Sequence, residues 1–381
     1  MEFGWTDDQR QIGRAAVEFA RRELNTDLMS GDLEARFPRK AWLRCAEFGV
    51  QGLPIPVALG GQGADLVTTA HVLESLGYGC ADNGLLFTLN AHMWSCAVPI
   101  WKFGDEAQRR RYLPSLCDGS MIGTHAVTEA GSGSDAYAVS TTAVPDRGHY
   151  ILNGTKIFIT NASIADVGLV LARCGDKGNI ADLCMFIVEF DRPGITVSQP
   201  FDKLGLRTSP LCEITFTDCR VPASSVLGAP DSGMAVFNAG IEWERSFILA
   251  SVLGTMRRQL EESVRFAGDH SRFGQPIGKN QSVANRIVDM RVRLDAARLL
   301  MYQVAWMKDH GKHAMLESAI VKLFLSEAFV ESSVAAFQNF GAQAYIAGTA
   351  QERDLRDSLA SRIYSGTSDI QRVIISRLLG L

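Results

Sequence analysis

The sequence predicts a mostly α-helical protein with a central β domain. Three observations point to it. Apolar residues fall at helical spacing near the start, at Ile12, Ala15, Ala16 and Phe19. The middle turns β-branched around Asn153-Gly154. A helical period then returns, with Val283, Ile287, Met290, Leu294, Ala297 and Met301 stepping by three and four. The expected order is a helical domain over residues 1–122, an antiparallel β domain over 123–230 and a helical bundle over 231–381.

Each element has a local reason. Thr6-Asp7-Asp8-Gln9 is a capping start for the first helix. Gly60-Gly61-Gln62-Gly63 and Gly77-Tyr78-Gly79 read as turns. His149 to Leu152 and Thr155 to Thr160 flank Asn153-Gly154, a strong short-range hairpin signal. Val167 to Ala172, Leu183 to Phe190 and Glu213 to Thr217 are further strand-like runs, with no long helical pattern between them. In the last region Asp289, Arg291, Arg293 and Asp295 occupy the faces that the apolar residues leave free, as in a packed bundle.

Composition narrows the function. The 381 residues carry 38 Lys+Arg and 42 Asp+Glu, a net charge of −4, which argues against nucleic acid or an anionic membrane as the main partner. No stretch reaches the roughly 18 apolar residues of a membrane span. The eight cysteines include no C-x-x-C pair, and the opening Met1 to Asp8 has neither basic start nor apolar run. A reduced, soluble, cytoplasmic protein is expected.

Gly131-Ser132-Gly133-Ser134-Asp135-Ala136 fits the dinucleotide pattern G-x-G-x-x-A. That pattern requires a helix after it, whereas Tyr137 to Thr142 is extended and β-branched, so a Rossmann unit is not expected. A plain surface loop and a turn whose N–H groups hold a phosphate or a flavin edge both remain open. Glu242 and Glu244 lie two apart on an expected helix, so only one can face a buried site. Either glutamate serves a surface ion pair or one is a buried general base. Arg109-Arg110-Arg111 reads as a solvated helix face. No H-x-x-x-H or H-E-x-x-H pair suggests a metal, and no G-x-S-x-G suggests a hydrolase nucleophile.

Six segments in order resemble the acyl-CoA dehydrogenase family from end to end. They are Pro99-Ile100-x-x-Phe103-Gly104-x-x-x-Gln108, Val127-Thr128-Glu129-x-Gly131-Ser132-Gly133-Ser134-Asp135, and Asn153-Gly154-x-Lys156-x-x-Ile159-Thr160-Asn161. They continue with Phe216-x-Asp218-Cys219-Arg220-Val221-Pro222, Arg272-Phe273-Gly274-Gln275-Pro276-Ile277 and Gly366-Thr367-Ser368-Asp369-Ile370-Gln371. The resemblance implies a barrel-like middle domain, a C-terminal four-helix bundle, and FAD held between them in a homo-oligomer, expected as a tetramer. It implies that Val127 and Thr128 meet the flavin pyrimidine edge, Ser134 the pyrophosphate side, Thr160 the flavin N5 and Phe158 the ring face, with Gly133 also at the cofactor. His270, Arg272, Phe273, Gln281, Gln338, Gly341 and Ala342 match positions that reach a neighbouring subunit's dinucleotide, and Thr367 and Asp369 match the loop after the family's usual base.

Departures from the family pattern carry information. His270 stands where an arginine is usual, and Arg272 is the cation available to replace it. Ala342 replaces the second glycine of a usual pair. Above all, Tyr364-Ser365-Gly366-Thr367 lacks the common catalytic glutamate. Some relatives carry the base on the bundle helix before an arginine, and Glu244 of Trp243-Glu244-Arg245 falls there, which favours Glu244 over the ion-pair reading. Arg245, Ser365 and Gly366 are then expected at the substrate. Glu244 with Ser365 looks like the dehydrogenases of secondary metabolism that act on prolyl groups carried by a peptidyl or acyl carrier protein. The implied reaction is α,β-dehydrogenation of the thioester, with the α-proton going to Glu244 and the β-hydride to flavin N5. Alternatives are a short or branched acyl-CoA and a hydroxyacyl carrier-protein thioester. A flavin monooxygenase relative and an inactive homologue fit less well, because Glu244, Val127, Thr128 and Thr160 are retained.

Overall fold

Local chemistry starts the first helix: Thr6 accepts from the Gln9 N–H and the Gln9 side chain accepts in return, a capping box that opens α1 (Asp7–Glu23). A computed structural model describes residues 4–175, 182–230 and 232–381. After α1 come α2 (Leu28–Leu33), α3 (Arg39–Phe48), α4 (Leu66–Gly79), α5 (Asn83–His92), α6 (Val98–Phe103) and α7 (Glu106–Cys117). A wide π turn over Met93–Ala97 joins α5 to α6.

Gly60 to Gly63 lie in the expected turn. Gly77-Tyr78-Gly79 does not: it forms the end of α4. The reason is a helix crossing. A Cβ on Gly77 would meet the Ser251 carbonyl at 1.7 Å, and one on Gly254 would meet the Glu74 carbonyl at 1.9 Å. Glycine at both places lets two helices touch backbone to backbone.

The strands are β1 (Gly123–Ala126), β2 (Thr142–Asp146), β3 (His149–Thr160), β4 (Val167–Arg173), β5 (Leu183–Glu189), β6 (Ile195–Val197) and β7 (Leu211–Pro222). The sheet runs β1-β4-β2-β3-β7-β6, with β5 on β4. Its long pairings are antiparallel, while β1 and one residue pair of β2 run parallel to β4. The sheet curls until the chain after β1 meets β3, where the Ile157 N–H donates to the Thr128 carbonyl at 2.9 Å.

Asn153-Gly154 makes no hairpin. β3 runs through it unbroken, and the register against β7 shifts between Leu152 and Gly154. Gly154 has φ 147°, and a Cβ there would meet Thr141 Oγ1 at 2.6 Å. The pair forms a bulge, because its two flanks bond to β2 and β7 and not to each other. The reversal comes earlier, at Arg147-Gly148, whose φ values of 43° and 79° suit a two-residue turn.

The C-terminal region holds α8 (Gly233–Phe247), α9 (Ala250–Asp269), a short hairpin of β8 (Ser271–Arg272) and β9 (Gln275–Pro276), α10 (Gln281–Asp309), α11 (Met315–Phe340), α12 (Ala350–Leu359) and α13 (Ser368–Leu378). α8 to α11 pack as the bundle. Met290, Leu294, Ala297 and Met301 of α10 are buried, while Asp289 and Arg291 are exposed. α4 crosses α9 at the glycine pair. Gln108 of α7 donates to the Ser224 and Val226 carbonyls at 2.9 and 2.8 Å, tying the N-terminal helices to the sheet. Arg110 and Arg111 are exposed and pair with Glu106 and Glu189. No helix among the described residues is long and apolar enough to cross a membrane.

The bulge gives a stability test. Gly154→Ala forces a methyl into Thr141 at an unfavourable φ and should cost about 1–3 kcal/mol in denaturant unfolding. A loss below about 0.5 kcal/mol, the range of neutral surface changes, would contradict this account.

Candidate active site

A buried carboxylate organises one wall. Glu129 accepts from the N–H and hydroxyl of Ser140, the N–H and hydroxyl of Thr141, and Lys156 Nζ at 2.8 Å. Lys156, fully buried, also donates to the Val127 carbonyl at 3.1 Å. Burial pushes the Glu129 carboxyl up, but the Lys156 charge and these donors prevail and hold it at about 2. Burial lowers Lys156 to about 8 against the pull of Glu129, so both are charged at neutral pH. The clasp closes the loop of Gly131 to Ala136 against the sheet. That loop leads through a short 3-10 turn into β2, not into a helix, as expected.

The clasp aligns four of the residues expected at the flavin. Val127 is buried, and Thr128 and Thr160 are half-buried with hydroxyls that make no hydrogen bond among the described residues. Phe158, at φ 58°, stands on the β3 irregularity with its side chain 58% exposed and its ring 5.7 Å from Phe201. Gly133 and Ser134 lie exposed in the adjoining loop, and a Cβ on Gly133 would meet nothing within 4 Å. An exposed aromatic beside unspent hydroxyls and an open small-residue loop fit a flat, polar-edged cofactor with a phosphate arm.

The second wall holds the carboxylate expected as base. Glu244 is buried on α8, and Ser365 Oγ donates to its Oε1. His125 Nδ1 of β1 lies 3.8 Å from its Oε2. Burial pushes the Glu244 carboxyl up, but His125, Ser365 and Ser95 outweigh burial and hold it below the usual carboxylate range. Ser95 comes from the π turn, a distortion often found at functional sites. Glu242, in contrast, faces Lys308 in an ion pair.

Ser365 and Gly366 form a strained turn with φ 56° and 84°. Gln371 Nε2 locks it by donating to both carbonyls, at 3.2 and 2.9 Å. The N–H groups of Ser365 and Gly366 make no backbone hydrogen bond among the described residues. Arg245 is buried, and its Nε has no hydrogen-bond partner among the described residues. The Thr367 hydroxyl is spent capping α13, and Asp369 is exposed and pairs with Arg372.

The remaining expected residues gather elsewhere. His270 stacks on Phe266 at 3.7 Å, and Phe266 stacks on Phe340 at 4.3 Å, so the α9 and α11 ends adjoin. Around them Arg272, Phe273 at 97% exposure, Gln281, Gln338, Gly341 and Ala342 are all exposed. Among the described residues, no hydrogen bond or ring contact joins this group to the 127–160 strip. Three residues at Glu244 are absent from the sequence expectations: Ser95, His125 and Lys322. His125 carried no signal there. Lys322 did carry one, as a lysine inside the apolar stretch Ile320 to Leu325. It donates to the Ser361 carbonyl at 2.8 Å, and burial, with the Arg245 charge, lowers it to about 7.

Known proteins match this architecture. Family models described as acyl-CoA dehydrogenase N-terminal, middle and C-terminal domains match residues 6–120, 124–219 and 231–380. An L-prolyl peptidyl-carrier-protein dehydrogenase from Pseudomonas fluorescens is 38% identical over 383 residues, covering 100% of both chains. The crystal structure of the prolyl acyl carrier protein oxidase AnaB superposes with a TM-score of 0.98 at 47% identity, covering 99% of this chain and 100% of that one. PigA with FAD and proline superposes with a TM-score of 0.97 at 37% identity, covering 100% of both.

The clasp is testable on its own. Glu129→Gln strands a buried ammonium and should destabilise the fold by about 3–5 kcal/mol. Adding Lys156→Met should recover part of that loss. Because the Glu129 pKa is depressed when folded, its contribution is present above about 4.5 and fades as pH falls towards about 2. Unfolding curves across that window should show the acid-side loss in the parent and a smaller one in Glu129→Gln.

Proposed function

The chain belongs to the acyl-CoA dehydrogenase family, and from that premise we propose that it carries out FAD-dependent α,β-dehydrogenation of a prolyl thioester on a peptidyl or acyl carrier protein. The observation that carries this reading is the contact between Glu244 and Ser365. The turn that lacks the usual glutamate touches a buried carboxylate supplied by a helix. A base at either position reaches the same point.

Each step has a residue. Glu244, held ionised by its neighbours, removes the α-proton. The free N–H groups of Ser365 and Gly366 are available to the thioester oxygen, where negative charge develops. Gln371 fixes their direction beforehand by holding the carbonyls of the same turn. Val127, Thr128, Phe158 and Thr160 would hold the flavin, with Gly133 and Ser134 towards its phosphates. Bound FAD supplies the two-electron acceptor, which no side chain can. Arg245 brings a buried positive charge beside the reacting carbons.

The carrier-protein substrate is supported by the full-length likeness to prolyl carrier-protein enzymes. We also propose a cytoplasmic homotetramer. Exposed apolar side chains such as Phe273, Tyr345 and Ile346 fall on or near the segments expected to reach a neighbour's dinucleotide.

Glu244→Gln should slow flavin reduction roughly 10²- to 10⁴-fold while the bound flavin remains. Glu242→Gln should change it far less, because that residue serves Lys308. Ser365→Glu in the Glu244→Gln background should restore part of the rate. A Glu244→Gln protein that keeps FAD and reduces it at the parent rate would remove Glu244 as the base.

Substrate presentation is tested by matched concentrations of prolyl thioester on carrier protein and on CoA. The carrier-bound form should turn over faster, and equal or better use of the CoA ester would refute the carrier assignment.

A further inference from the structure

A plain acyl thioester brings one relevant acid to the site, its α C–H. A prolyl thioester brings two, because its ring nitrogen is an α-amino group, ordinarily protonated below about pH 8. Oxidation next to that nitrogen is easier with its lone pair free. A bound ammonium would also face the buried charge of Arg245 on α8. The site therefore needs a second proton acceptor, within reach of the atom bonded to the α-carbon.

His125 is placed for that task. Its Nδ1 faces Glu244 Oε2 at 3.8 Å, on the oxygen that Ser365 does not occupy. Its other ring nitrogen makes no hydrogen bond among the described residues. The ring lies 6.0 Å from Phe237 of α8, and its side chain is 14% exposed, so it is sheltered without being enclosed. The other titratable groups around it are accounted for. His92 of α5 accepts from the Gly123 N–H at 2.8 Å and donates to the Leu116 carbonyl at 3.0 Å, and burial holds it down at about 4. Burial holds Cys96 of the π turn up at about 12. Glu244 is committed to the α-proton, Arg245 is a cation, and Lys322 Nζ is turned away to the Ser361 carbonyl at 2.8 Å.

We propose that His125 is a catalytic residue specific to amino-acyl substrates: it accepts the proton of the prolyl ring ammonium, while Glu244 takes the α-proton. The step balances as proton transfer alone. One N–H bond of the substrate breaks and one forms on imidazole, leaving a neutral amine and an imidazolium beside the Glu244 carboxylate. No electron moves in it. Imidazole suits the task because its charge ordinarily changes near neutral pH. The proposal rests on the prolyl reading and on Glu244 as base, and adds to them what separates this site from one built for unsubstituted acyl chains.

The test uses the FAD-loaded protein with His125→Gln and His125→Phe, each checked for flavin content. Anaerobic flavin reduction is followed with prolyl and cyclopentanecarbonyl thioesters on the same carrier, from about pH 6 to about pH 9. The expected result is a prolyl rate reduced about tenfold or more at the acid end and recovering towards the alkaline end, where solvent has already removed the amine proton. The ratio of prolyl to carbocyclic rate should fall in parallel. If the carbocyclic ester proves inert, the N-acetylprolyl thioester, which carries no amine proton, replaces it as the control, because loss of His125 also raises the Glu244 carboxyl and slows every substrate at the acid end. A uniform loss across pH, or a profile like the parent's, overturns the role of His125. Failure of the underlying reading looks different: Glu244→Gln would then reduce at the parent rate, whatever the His125 variants do. Should His125→Phe lose flavin, His125→Gln, closer in size and polarity, supplies the measurement.

Discussion

One buried ion pair sets the geometry on which the rest depends. Glu129 binds the loop after it, the start of β2 and Lys156 of β3 at once, and Lys156 also holds the Val127 carbonyl. Within the loop, Ser132 donates to the Asp135 carbonyl, but a Cβ at Gly131 or Gly133 would touch nothing, so the clasp is what ties the loop to β3. A buried pair of this kind contributes little net stability over a well-packed apolar substitute. What it adds is position: it brings Thr128 level with Ile157 and so with the exposed ring of Phe158.

Across the site, three parts of the chain far apart in sequence converge on Glu244. Ser95 comes from a π turn, His125 from a strand, and Ser365 from a strained turn ahead of the last helix. Their combined effect outweighs the burial of the carboxylate, so Glu244 stays ionised in a dry place. The α4–α9 crossing contributes from behind. Close contact through Gly77 and Gly254 locks the N-terminal helices against α9, which follows α8 after a short break.

Much of this was readable in the chain. The α10 pattern was plain because one face is buried and the others are wet. Glu244 could be singled out because a carboxylate was missing elsewhere, at Ser365. Other features could not be read locally. Asn153-Gly154 suits a turn or a bulge equally well, and the choice is made by β2 and β7, which pair with its two flanks. Gly77 looks like a turn residue until Ser251, distant in sequence, is laid against it. The placement of His125 beside Glu244 has no sequence signature, since it arises only when β1 meets α8. Lys156 belongs to one of the matching segments, but its ion pair with Glu129 exists only in three dimensions.

The contact between Ser365 and Glu244 also bears on how such sites can diverge. Two carboxylates at that separation would not ionise independently. They would share a proton and titrate as a pair, leaving neither a dependable base at neutral pH. A lineage that moves its base from the turn to the helix therefore gains little from a stage with both. The economical path runs through a small neutral residue in the turn. Serine is well suited to it, because it removes the competing charge and leaves a hydroxyl that supports the carboxylate arriving on the helix.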